Sequence, residues 1–498
     1  MTGMVTLVGA GPGSRALLTL AGAEAIRRAD AVVYDRLVDT DILTLIPCGA
    51  ERIDVGKRAG VHPVPQEEIN AILVRLAQAG KNTVRLKGGD CYLFGRGGEE
   101  CEYLHAHGVP FRVIPGVTSA LAAPAFAGIP ATHREYGSSV HIITAHARAG
   151  KEPEIDYPSL VRLGGTLVFL MGLAALEQVM DGLLAAGMDP QMPATVIENG
   201  TRGIQRKVVD TVSGLAAQVR TEGLQSPALI VVGRVCACSN TLDWWTGLPL
   251  HGKRIAVTRP QERAGGLTAR LRALGAEVIE APCIAIEPAA ELEPLRAALE
   301  NRYDWAAFTS PAGVKAAADA LRRLGRDLGA LYGMQLAAIG RGTAEALAAY
   351  GLTADLIPAQ YDGAHLAAAL LERLPEKGAV LLLRARQGGK ILPEALRRAG
   401  MTVADVPVYD TVYRCGRTDE LRRLLAEGAL DYVTFTSGST VEGFVRAVGD
   451  TDLSDMTALC IGAQTEEIAK RYQMKTITAS NAAIDDMIAC LLEDCHHV

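Results

Sequence analysis

No two of the ten cysteines are spaced as CxxC, so neither a zinc ribbon nor a disulfide framework is suggested. Positive charge is not in excess either: 50 Lys and Arg stand against 56 Asp and Glu, a formal charge of -6. Without that excess, and without a long Lys/Arg run, neither a nucleic acid nor an anionic membrane is expected as a partner. The longest apolar runs, such as TLVFLMGLAAL, are too short to span a bilayer. The opening MTGMVTLVGAGPG lacks a basic segment followed by an apolar stretch, so a cytoplasmic protein is expected. Cys495, His496 and His497 form a candidate metal group, but chain ends are seldom held in place, and no metal is expected.

What is present is the composition of an ordinary globular protein, with 49% hydrophobic and 21% charged residues. At 498 residues the chain is long enough for three or four domains. Short apolar runs alternate with Ala/Leu-rich helical patterns: VTLVGAG, LLTLAGAEAIRRA, AVVYD, EEINAILVRLAQAG, TVRLKGG. This βαβ rhythm predicts an α/β protein with mostly parallel sheets. After PALIVVGRV (227–235) the rhythm breaks, and the polar, turn-rich residues 239–252 read as a linker whose Trp244 and Trp245 pack on a neighbouring surface. The second half repeats itself. YDWAAFTSPAGV (303–314) returns as LDYVTFTSGSTV (430–441), and LAAIGRGTAEALAAYGL (336–352) as ALCIGAQTEEIAKRYQM (458–474). From Phe308 to Phe435 is 127 positions and from Gly340 to Gly462 is 122. A repeat that long describes two similar α/β domains rather than a stacked array.

GAGPG, Gly9 to Gly13, follows a predicted strand and precedes a predicted helix, the place of a dinucleotide phosphate loop. The spacing does not fit. The sixth position of GxGxxG is Ser14, and Pro12 has no N–H to give a pyrophosphate. A nucleoside without phosphate suits the loop better than NAD, and S-adenosylmethionine is such a ligand. A second loop, LKGGDCYLFGRGGEE (86–100), holds five glycines. Bare backbone of that kind lets a ligand approach the main chain closely.

VTLVGAGPG, AVVYDRLV, VGKRAGVHPVPQEEIN, VRLKGGDCYLFGRGGEE, PGVTSALAAPAFAGIPATHR, TLVFLMGL and SPALIVVG lie in order across residues 4–235. In this the first half resembles the uroporphyrinogen-III C-methyltransferases. The resemblance implies the two-lobed α/β fold of the tetrapyrrole methylases (lobes about 1–113 and 114–238), with S-adenosylmethionine between the lobes and usually a homodimer. It implies that Gly88, Gly89 and Asp90 lie against the cofactor, with Pro12, Leu93, Thr118, Ser119, Met171, Gly200 and Ala228. It points to Asp35 and Lys57 as proton acceptor and donor and to Arg96 and Glu99 at the substrate. After a pyrrole β-carbon attacks the sulfonium methyl, the ring system must lose a proton, which a carboxylate such as Asp35 can accept. Lys57, Arg58 and Arg96 are the cations available for the carboxylates of a uroporphyrinogen. The sequence departs from the family at Ser14 and Arg15, where an Asp-Pro-type pair is common, at Cys91, where proline is usual, and in ITAHAR for ITGH.

Residues 253–498 resemble uroporphyrinogen-III synthase through TRP (258–260), FTSPAGV, AAIGRGTAEAL, VPVYDTVY and FTSGSTV. The implied fold is two α/β domains, about 253–282 with 411–498 and about 287–405, joined by extended strands near 281–286 and 406–411. Thr309, Ser310, Thr343, Thr436, Ser437 and Thr465 are candidates to hold carboxylates in a cleft, and Tyr409 matches a tyrosine proposed to assist departure of the hydroxyl. The product of the second half is the substrate of the first. The expectation is therefore a bifunctional enzyme that converts hydroxymethylbilane through uroporphyrinogen III to precorrin-2 and stops there. Two rival readings stand beside it: a tetrapyrrole methylase of different specificity, or a nicotinamide dehydrogenase, fused to an unrelated catalytic domain; and a methylase whose duplicated half acts only as a hinged ligand sensor.

Overall fold

The computed structural model describes residues 2–56, 64–145, 155–259 and 261–497, without the side chains of 261–265, 496 and 497. The chain divides into two compact units, residues 1–254 with 269–279 and residues 255–268 with 280–498.

The first sheet contains β1 (Val5–Gly9), β2 (Ala31–Tyr34), β3 (Glu51–Asp54), β4 (Thr83–Lys87) and β5 (Phe111–Ile114), in the order β3-β2-β4-β1-β5. Every neighbouring pair is parallel. β1 leads toward one edge and β4 toward the other, so the loops after these strands flank a switch point, where open α/β sheets hold ligands. Residues 5–9 are all buried, as expected of a central strand covered by helices on both faces.

The second sheet contains β6 (Val140–Thr144), β7 (Thr166–Leu170), β8 (Pro193–Glu198), β9 (Arg206–Thr211) and β10 (Ala228–Val232), in the order β6-β7-β10-β8-β9. Here the expectation of mostly parallel pairing fails. Only β6 and β7 run parallel; β7–β10, β10–β8 and β8–β9 are antiparallel. Seven residues join β8 to β9, enough for a hairpin and too few for a crossover helix. The segment expected as a linker is docked. Trp245 stacks edge-on to Phe126 at 4.8 Å and donates from Nε1 to the Arg202 carbonyl at 2.9 Å, while Trp244 donates to the Ala125 carbonyl at 3.1 Å.

β11 (Arg254–Val257) and β12 (Glu277–Glu280) open a third sheet. The chain then forms a fourth from β13 (Ile284–Pro288), β14 (Trp305–Phe308), β15 (Gln335–Ala338), β16 (Ala379–Ala385) and β17 (Thr402–Tyr413). It completes the third with β18 (Tyr432–Phe435), β19 (Thr457–Cys460) and β20 (Lys475–Thr478). The orders are β12-β11-β18-β19-β20 and β13-β17-β16-β14-β15. The sequence repeat has a structural counterpart: β14–β15 and β18–β19 are matching parallel pairs, each first strand running into FTS and then a helix (Pro311–Arg323, Gly438–Val448). Of the extended segments expected near 281–286 and 406–411, the first overlaps β13 only from Ile284 and the second lies within β17; the two strands pair antiparallel from Ile284–Tyr413 to Pro288–Tyr409.

Candidate active site

The loops after β1, β4 and β5 meet backbone to backbone. Gly11 and Gly89 exchange two hydrogen bonds, N–H to carbonyl, of 3.1 and 2.7 Å. A Cβ on Gly9 would come within 2.4 Å of the Gly116 nitrogen, and one on Gly116 within 2.3 Å of the Gly89 carbonyl oxygen. Glycine is therefore required at Gly9 and Gly116 by contact, not by propensity. Asp90 ties the same loops together. Its Oδ1 accepts from the Tyr92 and Leu93 N–H groups at 2.8 and 3.0 Å, and its Oδ2 from the Gly116 N–H at 3.0 Å. The sequence reading assigned this carboxylate to a ligand; in the structure three backbone donors engage it, so it first braces the loops that would receive one.

At the second sheet, register places Met171, Gly200 and Ala228 together. Leu170 pairs with Leu229 and Glu198 with Ala228, so the residues after β7 and β8 adjoin the start of β10. Met171 is 49% exposed, an apolar side chain presented to solvent. Gly200 lies against the helix Ser119–Phe126, where a Cβ would stand 2.3 Å from that of Ala123. Thr118 caps this helix, its hydroxyl accepting from the Ala120 N–H at 3.3 Å; Ser119 is half-buried on its first turn. Pro12 and Leu93 are also half-buried. Six described non-glycine residues have positive φ, and five of them, Phe94, Arg96, Met171, Asn199 and Thr201, follow β4, β7 or β8. Each such backbone costs of order 1–3 kcal/mol and persists only where the surrounding structure holds it.

Asp35, after β2, is joined to a group of charges that sequence reasoning missed. Its Oδ1 accepts from Arg85 Nη2 at 2.7 Å. Arg85 Nε donates to Glu100 Oε1 at 3.1 Å, and Lys87 Nζ and Gln66 Nε2 donate to the same oxygen at 2.8 and 3.0 Å. Arg85, Lys87 and Glu100 are buried at 1%, 4% and 0% exposure. Burial pushes the Glu100 carboxyl up, but the charges of Arg85 and Lys87 and the hydrogen bonds from Lys87 and Gln66 outweigh it and hold it below the carboxylate range. Burial and the Arg85 charge hold Lys87 below the usual lysine range against the pull of Glu100 and Asp35. The available signal was TVRLK, two cations in a strand expected to be covered on both faces. Arg96 and Glu99, by contrast, are exposed and paired with each other at 2.5 Å. Lys57 and Arg58 lie outside the described residues.

In the duplicated half, Tyr409 on β17 is 8% exposed, and its hydroxyl is 3.0 Å from that of Ser310. Ser310 also caps its helix, accepting from the Gly313 N–H at 3.0 Å. Ser437, at the equivalent place in the repeat, forms a capping box with Thr440. Thr309, Ser310, Thr436 and Ser437 are half-buried at the ends of β14 and β18 and remain accessible. Thr343 and Thr465 do not line open space as expected, being only 2% and 4% exposed. Each sits three residues after the Gly340 or Gly462 that begins its helix, where an amphipathic helix turns inward to the core.

Among the described residues no group of three or more His, Cys, Asp or Glu could hold a metal, and no helix is long and apolar enough to cross a membrane. The side chains of His496 and His497 are not described.

Comparison with known proteins follows the division of the sheets. The tetrapyrrole (corrin/porphyrin) methylases match residues 4–216, and the uroporphyrinogen-III synthases (HemD) match residues 266–489. A porphyrin biosynthesis protein HemD of Ruminiclostridium josui is 46% identical over 493 residues, 99% of this chain and 98% of that protein. Siroheme synthase 2 of Cronobacter sakazakii is 51% identical over 244 residues, covering 49% of this chain and 52%, about half, of its own length. A solved uroporphyrin-III C-methyl transferase from Thermus thermophilus, complexed with S-adenosylhomocysteine, is 39% identical over 47% of this chain and 99% of that one, with a TM-score of 0.41.

Proposed function

This chain belongs to the family of the porphyrin biosynthesis protein HemD, a tetrapyrrole methylase followed by a uroporphyrinogen-III synthase, and on that premise we propose how its residues divide the work. It is a bifunctional enzyme of tetrapyrrole biosynthesis, an S-adenosylmethionine-dependent uroporphyrinogen-III C-methyltransferase and a uroporphyrinogen-III synthase. Residues 253–498 close hydroxymethylbilane with inversion of its last ring. Residues 1–238 then add two methyl groups and give precorrin-2.

The observation that carries the methyltransferase assignment is the meeting of the Gly9–Gly13, Gly88–Asp90 and Pro115–Thr118 loops. The residues fit S-adenosylmethionine. A Cβ on Gly89 would meet nothing within 4 Å, so open space lies beside backbone that φ +68° reserves for glycine. Exposed Met171 and half-buried Leu93 supply apolar contact, and Pro12 has no N–H to turn toward a sulfonium. When bound, the cofactor supplies an electrophilic methyl group. The chain's part is to hold the pyrrole carbon in line with it and to accept the ring proton afterwards, for which Asp35 is the candidate, with Oδ2 free of partners among the described residues. Arg96 and Glu99 are assigned to the substrate, and Lys57 and Arg58 join them by family resemblance alone.

In the synthase half, Tyr409 is assigned to the leaving hydroxyl and Ser310 to the orientation of Tyr409. Thr309, Thr436 and Ser437 are assigned to substrate carboxylates. A homodimer through the methyltransferase half is part of the proposal, supported by apolar side chains left at the surface there, such as Leu20 at 91% exposure. A cytoplasmic location accords with the substrates. The test is to supply the purified chain with hydroxymethylbilane, with and without S-adenosylmethionine, and to identify the tetrapyrroles by mass. Uroporphyrinogen III without the cofactor and precorrin-2 with it are expected. Only the uninverted isomer in the first arm, or no methylated product in the second, rejects the corresponding half.

A further inference from the structure

Glu100 contributes nothing to a surface, is fully buried, and is adjacent to a glutamate that is exposed. Burying a carboxylate costs several kcal/mol unless cations and hydrogen bonds compensate, and an apolar side chain of the same size would commonly be more stable. Its retention therefore calls for an explanation. Oε1 collects three donors, from Arg85, Lys87 and Gln66, while buried Oε2 has no partner. The carboxylate is thus aimed by one oxygen.

The donor that matters is Arg85. A guanidinium is a rigid plane, so holding one edge fixes the other. Here the Nε edge rests on Glu100, Nη1 reaches the Val33 and Leu86 carbonyls at 3.4 and 3.3 Å, and Nη2 holds Asp35 Oδ1. Among the four charged members of the group Asp35 alone has appreciable exposure, its side chain being 30% accessible. Two cations, Arg85 and Lys87, face two carboxylates, Glu100 and Asp35, and the count balances. With Glu100 neutral, Lys87 would be left as a buried ammonium whose remaining anionic neighbour is Asp35, in competition with Arg85.

We propose that Glu100 is a positioning residue for methyl transfer, which fixes the orientation of the Asp35 carboxylate through Arg85. The proposal rests on the reading of Asp35 as the proton acceptor. It adds Glu100 to the site as a group that never touches substrate, so its loss should change the rate of the chemical step and leave substrate binding nearly unaltered.

The test is a double-mutant cycle in the full chain, read as kcat and KM for methylation of uroporphyrinogen III at saturating S-adenosylmethionine. D35N should lower kcat by about 100-fold or more, the usual contribution of a general base. E100Q should lower kcat by about 10- to 100-fold, as a displaced catalytic group does, with KM within about twofold of the parent. In D35N/E100Q the losses should not multiply, because Glu100 has nothing left to position. E100D keeps the buried charge, withdraws it by one methylene, and supplies the same cycle should E100Q fail to fold. Losses that multiply, or a Glu100 variant with parental kcat, overturn the role of Glu100 alone. A D35N enzyme with parental kcat overturns the acceptor reading, and this proposal with it.

Discussion

The hydroxyl groups of Tyr409 and Ser310 lie 3.0 Å apart across the fourth sheet, Tyr409 on β17 and Ser310 just beyond the end of β14. The two side chains have separable duties. Tyr409→Phe keeps a ring that packs in the core and removes one hydroxyl. Turnover of hydroxymethylbilane to uroporphyrinogen III should fall by about 10-fold or more while the melting temperature moves little. Ser310→Ala also removes the cap on Gly313, so it should cost about 1 kcal/mol of stability as well as activity. Thermal melts beside isomer analysis of the product distinguish the two. Full turnover in Tyr409→Phe assigns that residue to structure.

Asp90 is engaged by three backbone N–H groups. Asp90→Ala should therefore weaken S-adenosylmethionine binding by about 1.5–3 kcal/mol and lower the melting temperature too, because three donors lose a charged acceptor. Asp90→Asn retains a carbonyl for Tyr92 and Leu93 and should fall between the two. Calorimetric titration and melting of the same samples check this. An unchanged affinity in a folded Asp90→Ala protein removes Asp90 from the site.

Three glycines of the first sheet's loops should respond differently to alanine. Gly89→Ala meets no atom but adopts φ +68°, so it should cost about 1 kcal/mol of stability, yet it fills space assigned to the cofactor and should reduce affinity by more than that. Gly9→Ala and Gly116→Ala collide with backbone at 2.4 and 2.3 Å and should fail to give a stable methyltransferase half. Equal affinity in Gly89→Ala and the parent would show that the open space is not the cofactor's.

Cys415 should be the reactive thiol. The neighbouring Cys283 thiol is the main influence that lowers its pKa to about 6, outweighing burial, with further help from the Arg417 and Thr418 region. Burial instead pushes Cys91 up to about 11 and Cys236 and Cys460 up to about 12. Since the folded thiolate is favoured, its stabilising effect is present above the ordinary thiol range and is lost as pH falls through about 6. Alkylation located by peptide mass should be half-maximal near pH 6 at Cys415. In Cys283→Ala the midpoint should rise toward the ordinary value of about 8.5. A Cys415 midpoint unchanged by Cys283→Ala would refute the pairing.

Much of this was legible in the sequence because it concerned the backbone. VTLVGAGPG announces a buried strand and a glycine-rich loop, and the FTS repeat marks two strand ends that do correspond. Direction was not legible: β8 and β10 have the apolar runs of buried strands yet pair antiparallel, and the short connection from 199 to 205 signals a hairpin only between β8 and β9. Site chemistry was less legible still, since a motif gives residue types and not their partners. Asp90 faces backbone amides, Thr343 and Thr465 face the core, and Glu99 and Glu100, neighbours in sequence, differ from exposure of one to full burial of the other because a helix turns 100° per residue.

The antiparallel pairing of β13 and β17 has a consequence for the order in which the nascent chain can fold. All five strands of the fourth sheet lie between residues 284 and 413 and can assemble as soon as that stretch has been synthesised. β11 must wait, because Ile255 pairs with Tyr432, 177 positions later. Contacts so distant in sequence close slowly. The inserted sheet should therefore mature first and, by bringing residues 284 and 413 side by side, shorten the effective loop that the third sheet has to close. Pulse-labelled hydrogen exchange during refolding should protect β14 and β16 before β11 and β18, and the reverse order would contradict this sequence of events.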